Sequence, residues 1–167
     1  IGRTFQNLAL FSTMSVLDNV MIGCHSQSKS DFLSNALRLP WVSREETRLQ
    51  QIAWELIEYL ELGDFAYEPA GGLPFGIQKR VELARAIASE PELLLLDEPA
   101  GGLNHDEVDD LVGTLQQIGH DRNITVLLVE HHMSLVMAVS DIVVAIDFGR
   151  KIGEGSPAEV QQNPDVI

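Results

Sequence analysis

The feature that most constrains the fold is Leu93–Leu96, four leucines in a row that are followed directly by Asp97, Glu98 and Pro99. So short an apolar run is typical of a strand buried on both faces of a parallel sheet, and the strand must end at Pro99 because proline has no backbone N–H. Ligands bind outside the carboxyl ends of such strands, where both acids lie. The pair suits a metal–phosphate site in which Asp97 faces Mg²⁺ and Glu98 orients or activates a water. Taken alone, the pattern also fits a core strand that ends in two solvated acids.

Composition limits the class of protein. The 167 residues suffice for one ordinary domain, and they carry a net charge of −14 that is dispersed along the chain. This acidity argues against a nucleic-acid surface as the main role. Cys24 is the single cysteine, so an internal disulfide is excluded and a buried structural thiol is expected. No apolar run approaches the roughly 20 residues of a membrane span and no signal peptide opens the chain, which predicts a soluble, cytoplasmic protein.

The hydrophobic pattern divides the chain into three parts. Residues 1–7 end a core strand and enter a loop that contains Gln6, and residues 8–72 form a helical subdomain. Residues 73–167 alternate helices with strands, which predicts parallel βαβ units. The predicted fold class is therefore α/β, a parallel sheet with a helical insertion.

The helical subdomain is predicted from its caps and apolar stripes. A short helix is expected from about Ser15, and Asp31 is expected to cap a second one. The capping box of Ser43–Glu46 predicts a long helix that runs to about Leu62 and is ended by Gly63.

The last part is predicted to contain four strands and four helices. The predicted elements are a helix at about 76–89, the strand Leu93–Leu96, a helix capped by Asn104 with Glu107 and closed at Gly119, the strand Ile124–Val129, a helix at about Met133–Val139, the strands Ile142–Ile146 and Lys151–Gly153, and a helix that Ser156, Pro157 and Glu159 open.

Four motifs carry a family resemblance. They read Leu73-Pro74-Phe75-Gly76-Ile77-Gln78 before a helix, Leu93 to Pro99, Gly101-Gly102-Leu103-Asn104, and Val129-Glu130-His131-His132. In this order and spacing they resemble an ABC-transporter ATPase, and Thr4 to Asn7 resembles its glutamine loop. Leu-Pro-Phe-Gly in place of the commoner Leu-Ser-Gly-Gly is most similar to the branched-chain amino-acid importers.

The resemblance assigns roles at the strand ends. Asp97 orients Mg²⁺ through water, Glu98 is the general base for the attacking water, and His131 hydrogen-bonds the γ-phosphate. Gln6 ligates Mg²⁺ or positions water. His132 is expected to be a solvated surface histidine.

The resemblance also predicts a nucleotide contact made across a dimer. The backbone of Pro74, Phe75, Gly76, Ile77 and Gln78 opens a helix, whose free N–H groups and dipole attract anions, here the γ-phosphate of ATP on the opposite subunit. Because Pro74 and Ile77 replace a usual serine and glutamine, the contact is expected to rest on backbone N–H groups. The loop that contains Gly102 and Asn104 is expected to cross the dimer interface.

One family motif has no counterpart in these residues. A phosphate-binding loop needs Gly-x-x-x-x-Gly-Lys-Ser/Thr, and no Gly-Lys dipeptide occurs in the 167 residues. The resemblance therefore implies an incomplete P-loop NTPase-type sheet, a fragment that is inactive by itself. The strand that feeds the missing loop would lie between Ile124–Val129 and Ile142–Ile146. These two strands are expected either to pair directly or to leave a slot that another chain or an upstream fragment fills.

The leading hypothesis is the ATP-hydrolysing subunit of a branched-chain amino-acid importer. It would use ATP and Mg²⁺, pair with a second ATPase subunit, and contact membrane-spanning permease subunits through the helical subdomain, at the inner face of the cell membrane. Two alternatives stay open at this point, a soluble ABC ATPase that remodels DNA or ribosomes and a truncated docking or regulatory module without catalysis.

Overall fold

The computed structural model describes residues 1–4, 8–27 and 40–166. Within these ranges the protein is α/β, with a three-stranded parallel sheet and a separate antiparallel pair of strands. The strands are β1 (Gly2–Arg3), β2 (Leu93–Asp97), β3 (Thr125–Val129), β4 (Val143–Asp147) and β5 (Arg150–Gly155). The helices are α1 (Val16–Cys24), α2 (Pro40–Tyr59), α3 (Phe75–Ile87), α4 (His105–Arg122), α5 (Met133–Val139) and α6 (Pro157–Gln161).

The parallel sheet is centred on the leucine run. β2 pairs with β1 on one side and with β3 on the other, and Leu93 lies opposite Thr125 while Asp97 lies opposite Val129. Leu94 and Leu96 are buried, as expected for a strand in the middle of a core. The predicted pairing of the second strand with the leucine strand is confirmed.

Helix α1 lies in the core and begins directly after Ser15, where a short helix was predicted. Ser15 accepts from the Asp18 N–H, and the Asp18 carboxylate accepts from the Ser15 N–H, a reciprocal capping box. Gly23 allows α1 to approach α3 closely, because a Cβ at this position would lie 2.2 Å from the Arg85 carbonyl oxygen. Cys24 is buried as predicted, and burial, with a smaller contribution from Glu90, raises the pKa of its thiol to about 11.

Helix α2 differs from its prediction at both ends. The predicted capping box at Ser43–Glu46 is wrong, because the helix already begins at Pro40. Its end also comes earlier than Leu62 and Gly63. Glu61 adopts φ +56°, the Leu62 N–H donates to the Ile57 carbonyl and the Glu61 N–H donates to that of Glu58, which is a Schellman ending without glycine. The helix predicted after Asp31 lies outside the described residues.

Helix α4, in contrast, ends later than predicted. Its capping box of Asn104 and Glu107 is confirmed, but Gly119 lies inside the helix rather than closing it. Asn123 ends it instead with φ +51°, a left-handed conformation that asparagine tolerates better than most residues. The predicted cap of α6, with Ser156, Pro157 and Glu159, is confirmed.

Strands β3 and β4 do not pair with each other within the described residues. β3 is an edge of the parallel sheet, and β4 pairs with β5. Direct pairing, one of the expected outcomes, is therefore not found. Instead, four apolar side chains of these strands, which we call the apolar gap surface, are 48–68% exposed. They are Leu127, Val129, Val144 and Ile146.

A helix that crosses a membrane is about 20 residues long and predominantly apolar, and the helices that the structure describes do not meet both conditions. None of them is long and apolar enough to cross a bilayer.

Candidate functional site

The backbone turns sharply where β2 ends. Asp97 is the last residue of the strand, and Glu98 follows with φ +46°, a conformation that is strained for a residue with a side chain. Two hydrogen bonds maintain it, from the Glu98 N–H to the Val129 carbonyl at 2.9 Å and from the Gly101 N–H to the Glu98 carbonyl at 3.0 Å. The turn therefore directs the Glu98 side chain independently of the strand's alternation.

Glu98 and His131 come together at the ends of β2 and β3. His131 Nδ1 lies 3.6 Å from Glu98 Oε1, and the side chains are 67% and 34% exposed, respectively. Both groups are thus within reach of a ligand that approaches from solvent. The structure brings together these two residues, which the sequence had placed 33 positions apart.

Asp97 presents a second carboxylate at the same edge. Its Oδ2 lies 3.9 Å from Arg3 Nη2, and both side chains are about half exposed, so the ion pair adds little stability. A carboxylate that stays open to water is the type of ligand that Mg²⁺ accepts, often through its own water shell. The donor chemistry here fits that cation. Gln6, the other predicted ligand, lies outside the described residues.

Glu130 is a site residue that the sequence did not single out. Its carboxylate is fully buried and accepts from three backbone N–H groups, those of Ala100 at 2.9 Å, His131 at 2.7 Å and His132 at 3.0 Å. Burial of the carboxylate opposes ionisation, but the N–H groups of His132, Ala100 and His131 outweigh it and hold the pKa of Glu130 below its usual range. Glu130 therefore links the loop after β2 to the backbone that carries His131.

Replacing Glu130 with glutamine should destabilise the fold by about 2 kcal/mol at pH 7, because the amide NH₂ would face a backbone N–H that now has an acceptor. The folded-state pKa lies below the unfolded one, so the carboxylate's contribution is fully present above about pH 4.3 and is lost as the pH falls through the folded value. In urea unfolding measured from pH 7 down to pH 3, the free energies of unfolding of the wild type and of Glu130→Gln should converge.

The exposed Glu46 provides the matched control. Glu46→Gln should change the free energy of unfolding by a few tenths of a kcal/mol at most. A Glu130→Gln difference that stayed constant down to pH 3 would show that the charge of Glu130 does not stabilise the fold.

His132 differs from its prediction. Its side chain is half-buried rather than solvated, its ring lies 5.2 Å from that of His131, and its buried Nδ1 lies 3.7 Å from Glu130 Oε2. Among the described residues, Glu130, His131 and His132 offer ligand atoms within 4.8 Å of one another. Because both oxygens of Glu130 already accept backbone N–H groups, the geometry favours a structural role for this carboxylate over metal ligation.

A second group of predicted residues lies at the start of α3. Pro74 precedes the helix with φ −52°, and no side chain caps the first turn. The Gln78 N–H bonds the Pro74 carbonyl, and the Gln78 side chain turns back to the Leu73 carbonyl at 2.8 Å. Among the described residues, no hydrogen bond from the backbone N–H groups of Phe75, Gly76 and Ile77 is found, so these groups are compatible with the predicted backbone contact.

Two glycines pack this helix start against the loop at 101–104. A Cβ on Gly76 would lie 2.5 Å from Glu107 Oε1, and a Cβ on Gly102 would lie 2.9 Å from the Phe75 ring. Gly102 also has φ +82°, which favours glycine. Glu107 is held in place by the Asn104 N–H, which donates to its Oε2 at 2.9 Å. The start of α3 and the loop at 101–104, both predicted to contact nucleotide or the dimer partner, are thus packed together. No local sequence pattern indicates this proximity.

The chain is similar to known proteins in sequence. A family model described as ABC transporter matches residues 1–101. BraF of Pseudomonas aeruginosa, a high-affinity branched-chain amino acid transport ATP-binding protein, is 40% identical over all 167 residues, which span 66% of its length.

Solved structures agree with the family match. CbiO1 from Clostridium perfringens, part of the ABC transporter complex cbiONQ, superposes on 99% of this chain and 61% of its own, with a TM-score of 0.81 and 28% identity. MJ1267, an ATP-binding cassette of an ABC transporter, superposes on 99% of this chain and 65% of its own, with a TM-score of 0.78 and 27% identity. The chain thus spans about two thirds of the length of its relatives. The α/β fold and the match over more than half of the residues place it in one family. This chain belongs to the ABC transporter family.

Proposed function

We propose that the chain is the water-activating part of an ATP-hydrolysing subunit in a branched-chain amino-acid importer. The observation that carries this proposal is the 3.6 Å approach of His131 Nδ1 to Glu98 Oε1 at the carboxyl ends of two paired parallel strands. The relation to BraF supports the transported class, since that protein is a branched-chain amino acid transport ATP-binding protein.

Each residue has a distinct part in the proposed reaction. Glu98 accepts the proton of the attacking water, and His131 donates a hydrogen bond to the terminal phosphate, which keeps that phosphate next to the base. Asp97 holds the hydrated Mg²⁺, with Gln6 as the second proposed ligand; when bound, the cation neutralises charge that develops on the phosphates.

The start of α3 contacts the nucleotide that is bound by a second ATPase subunit. Its first turn presents the backbone N–H groups of Phe75, Gly76 and Ile77 to the γ-phosphate held by the opposite subunit. Gly102 and Asn104 lie beside it at the proposed dimer interface, and their packing against Phe75 and Glu107 keeps the two motifs together. Hydrolysis in this account needs two ATPase subunits.

The two adjacent histidines provide the test of this function. In the whole protein, His131→Ala should reduce steady-state phosphate release by about 10²-fold or more, because the hydrogen bond to the phosphate is lost. His132→Ala is the matched control, since its ring faces Glu130, and it should stay within about threefold of the wild type. Equal losses in both variants would mean that the histidine was assigned wrongly.

The proposed permease contact lies in the helical subdomain, residues 8–72. Phe11 is 50% exposed, while the neighbouring Leu10 is half-buried and packs against the core. The backbone at Phe11 is fixed by the buried Asn19, whose side chain bonds both its N–H and its carbonyl at 2.9 and 3.1 Å. A large exposed aromatic residue on a fixed backbone suits a docking surface for a helix of the membrane subunit.

Phe11→Glu should therefore uncouple ATP hydrolysis from transport in the assembled transporter, reducing substrate uptake per ATP by about tenfold or more. The exposed Tyr67 provides a matched aromatic control, and Tyr67→Glu should leave the ratio unchanged. Unaltered coupling in Phe11→Glu would place the permease contact elsewhere. On this account the protein works in the cytoplasm, bound to the inner face of the membrane through its partners.

A further inference from the structure

A cavity of about 380 Å³ lies between α3, α4 and the end of β2. This volume falls in the range of small-molecule sites, roughly 300–1,000 Å³. We infer that this cavity binds a small neutral molecule with an apolar body and one hydrogen-bonding group. The cavity adjoins the proposed nucleotide contacts and shares Pro74, Gly76 and Ile77 with them, but the inference does not depend on the chain hydrolysing ATP.

The lining explains the apolar body. Leucines from three elements form much of the wall, namely Leu83 of α3, Leu96 of β2, and Leu111 and Leu115 of α4. Leu83, Leu96 and Leu115 are at most 4% exposed, so these surfaces are held away from bulk water. An apolar ligand covers lining side chains that are still partly exposed, such as Leu111 and Ile77, and removes their apolar surface from water, which favours binding.

Thr4 explains the single polar group. Its side chain lines the cavity and is only 5% exposed, and its hydroxyl oxygen has no hydrogen-bond partner in the part of the chain that the structure describes. Its backbone is fixed, because the Thr4 N–H donates to the Leu95 carbonyl at 3.0 Å. Buried polar groups in native proteins nearly always have a partner, so a ligand atom next to this hydroxyl would complete it.

The charges in the wall explain why the ligand is neutral. Arg80 pairs with Asp110 at 3.0 Å and with Glu61 at 3.3 Å, and Lys79 Nζ lies 5.6 Å above the centre of the Phe75 ring. Glu107 accepts the Asn104 N–H, and the buried Glu82, which also lines the cavity, is not free either. Since these groups are engaged, a charged ligand would have to break an existing contact to be neutralised.

Occupation of the cavity should restrain the proposed nucleotide contacts. Pro74, Gly76 and Ile77 at the start of α3 belong to the wall, as does Pro99, which directly follows Glu98. A molecule packed against all of them stabilises one relative position of these segments, so bound ligand should slow amide exchange in the first turn of α3.

The test uses fluorine NMR on the whole protein with 4-fluorophenol, and with fluorobenzene as the same body without the hydroxyl. Both probes should show saturable binding, with 4-fluorophenol bound more tightly. Thr4→Val should weaken the binding of 4-fluorophenol by about tenfold and leave the binding of fluorobenzene unchanged, because the substitution removes the hydroxyl group and keeps the shape of the side chain.

A cavity-filling variant locates the binding. Thr114 lies in the wall and donates to the Asp110 carbonyl, and Thr47 makes the same bond to Ser43 on an exposed helix face. Thr114→Trp should abolish the binding of both probes, and Thr47→Trp should not. Melting curves check that each variant is folded. If Thr114→Trp is unfolded, Thr114→Phe takes its place. Absence of saturable binding, equal probe affinity in Thr4→Val and wild type, or unaltered binding in the folded Thr114 variant would each overturn the inference.

Discussion

Replacing Glu98 with glutamine should abolish turnover, with a loss of about 10³-fold or more in steady-state phosphate release by the whole protein. The amide has nearly the shape of the carboxylate but cannot accept the proton of the attacking water. Binding of ATP should be retained within a few-fold, because Glu98 acts on the water and not on the nucleotide. Equilibrium binding of a fluorescent ATP analogue, measured beside phosphate release, separates the two effects.

The backbone at Glu98 makes this substitution a clean test. The positive φ is maintained by bonds of the Glu98 N–H and carbonyl, which a change of side chain leaves in place. Glu90 offers a matched control, since it is an exposed glutamate with φ +49°. Glu90→Gln should keep full activity. Retained hydrolysis in Glu98→Gln would assign the general base to another residue.

The second large effect concerns the nucleotide itself. The 167 residues alone should bind Mg-ATP more weakly than about 1 mM, at least 10³-fold below the micromolar affinity of a complete site. A triphosphate needs the lysine and the series of N–H groups of a phosphate-binding loop, and no Gly-Lys dipeptide is present to provide them. The uncapped start of α3 offers N–H groups from one helical turn, too few to replace that loop.

The parts of the fold that local sequence determines were predicted well. The predicted caps at Asn104 and Ser156 both form reciprocal bonds with an acidic residue three positions later, and α1 begins after Ser15, where a helix was expected. Each depends only on neighbours within one turn, so its pattern is sufficient evidence. The strand Leu93–Leu96 is equally local, because four leucines before two acids and a proline leave few alternatives.

Helix ends were predicted poorly where a residue other than glycine takes the left-handed conformation. Glu61 and Asn123 do so after α2 and α4, while Gly63 and Gly119, the residues that the pattern favours, do not end these helices. The strain at Glu61 is offset by the bonds that complete the helix end, which depend on how Leu62 packs into the core. The statistical preference for glycine at helix ends therefore does not reveal where backbone strain is offset by hydrogen bonds and packing.

The site residues that the sequence missed depend on distant contacts. Glu130 is a structural carboxylate because Ala100, thirty positions earlier, donates to it. Glu107 reads as a capping residue, and its contact with Gly76 appears only once α3 and α4 are packed. Spacing along the chain carries no information about either contact.

The apolar gap surface lies on the two strands between which the family resemblance predicts the strand that leads into the phosphate-binding loop. Two strands with exposed apolar side chains are edges that favour pairing with another strand. We therefore still expect a further segment or another chain to cover Leu127, Val129, Val144 and Ile146.

Calorimetry of Mg-ATP with the 167-residue chain alone tests most directly whether these residues form only the water-activating part of the site. Full-length BraF, measured under the same conditions, serves as the positive control. Our account predicts saturable heat for BraF and none for the 167-residue chain at micromolar to high-micromolar nucleotide. Micromolar binding of Mg-ATP by this chain alone would contradict it.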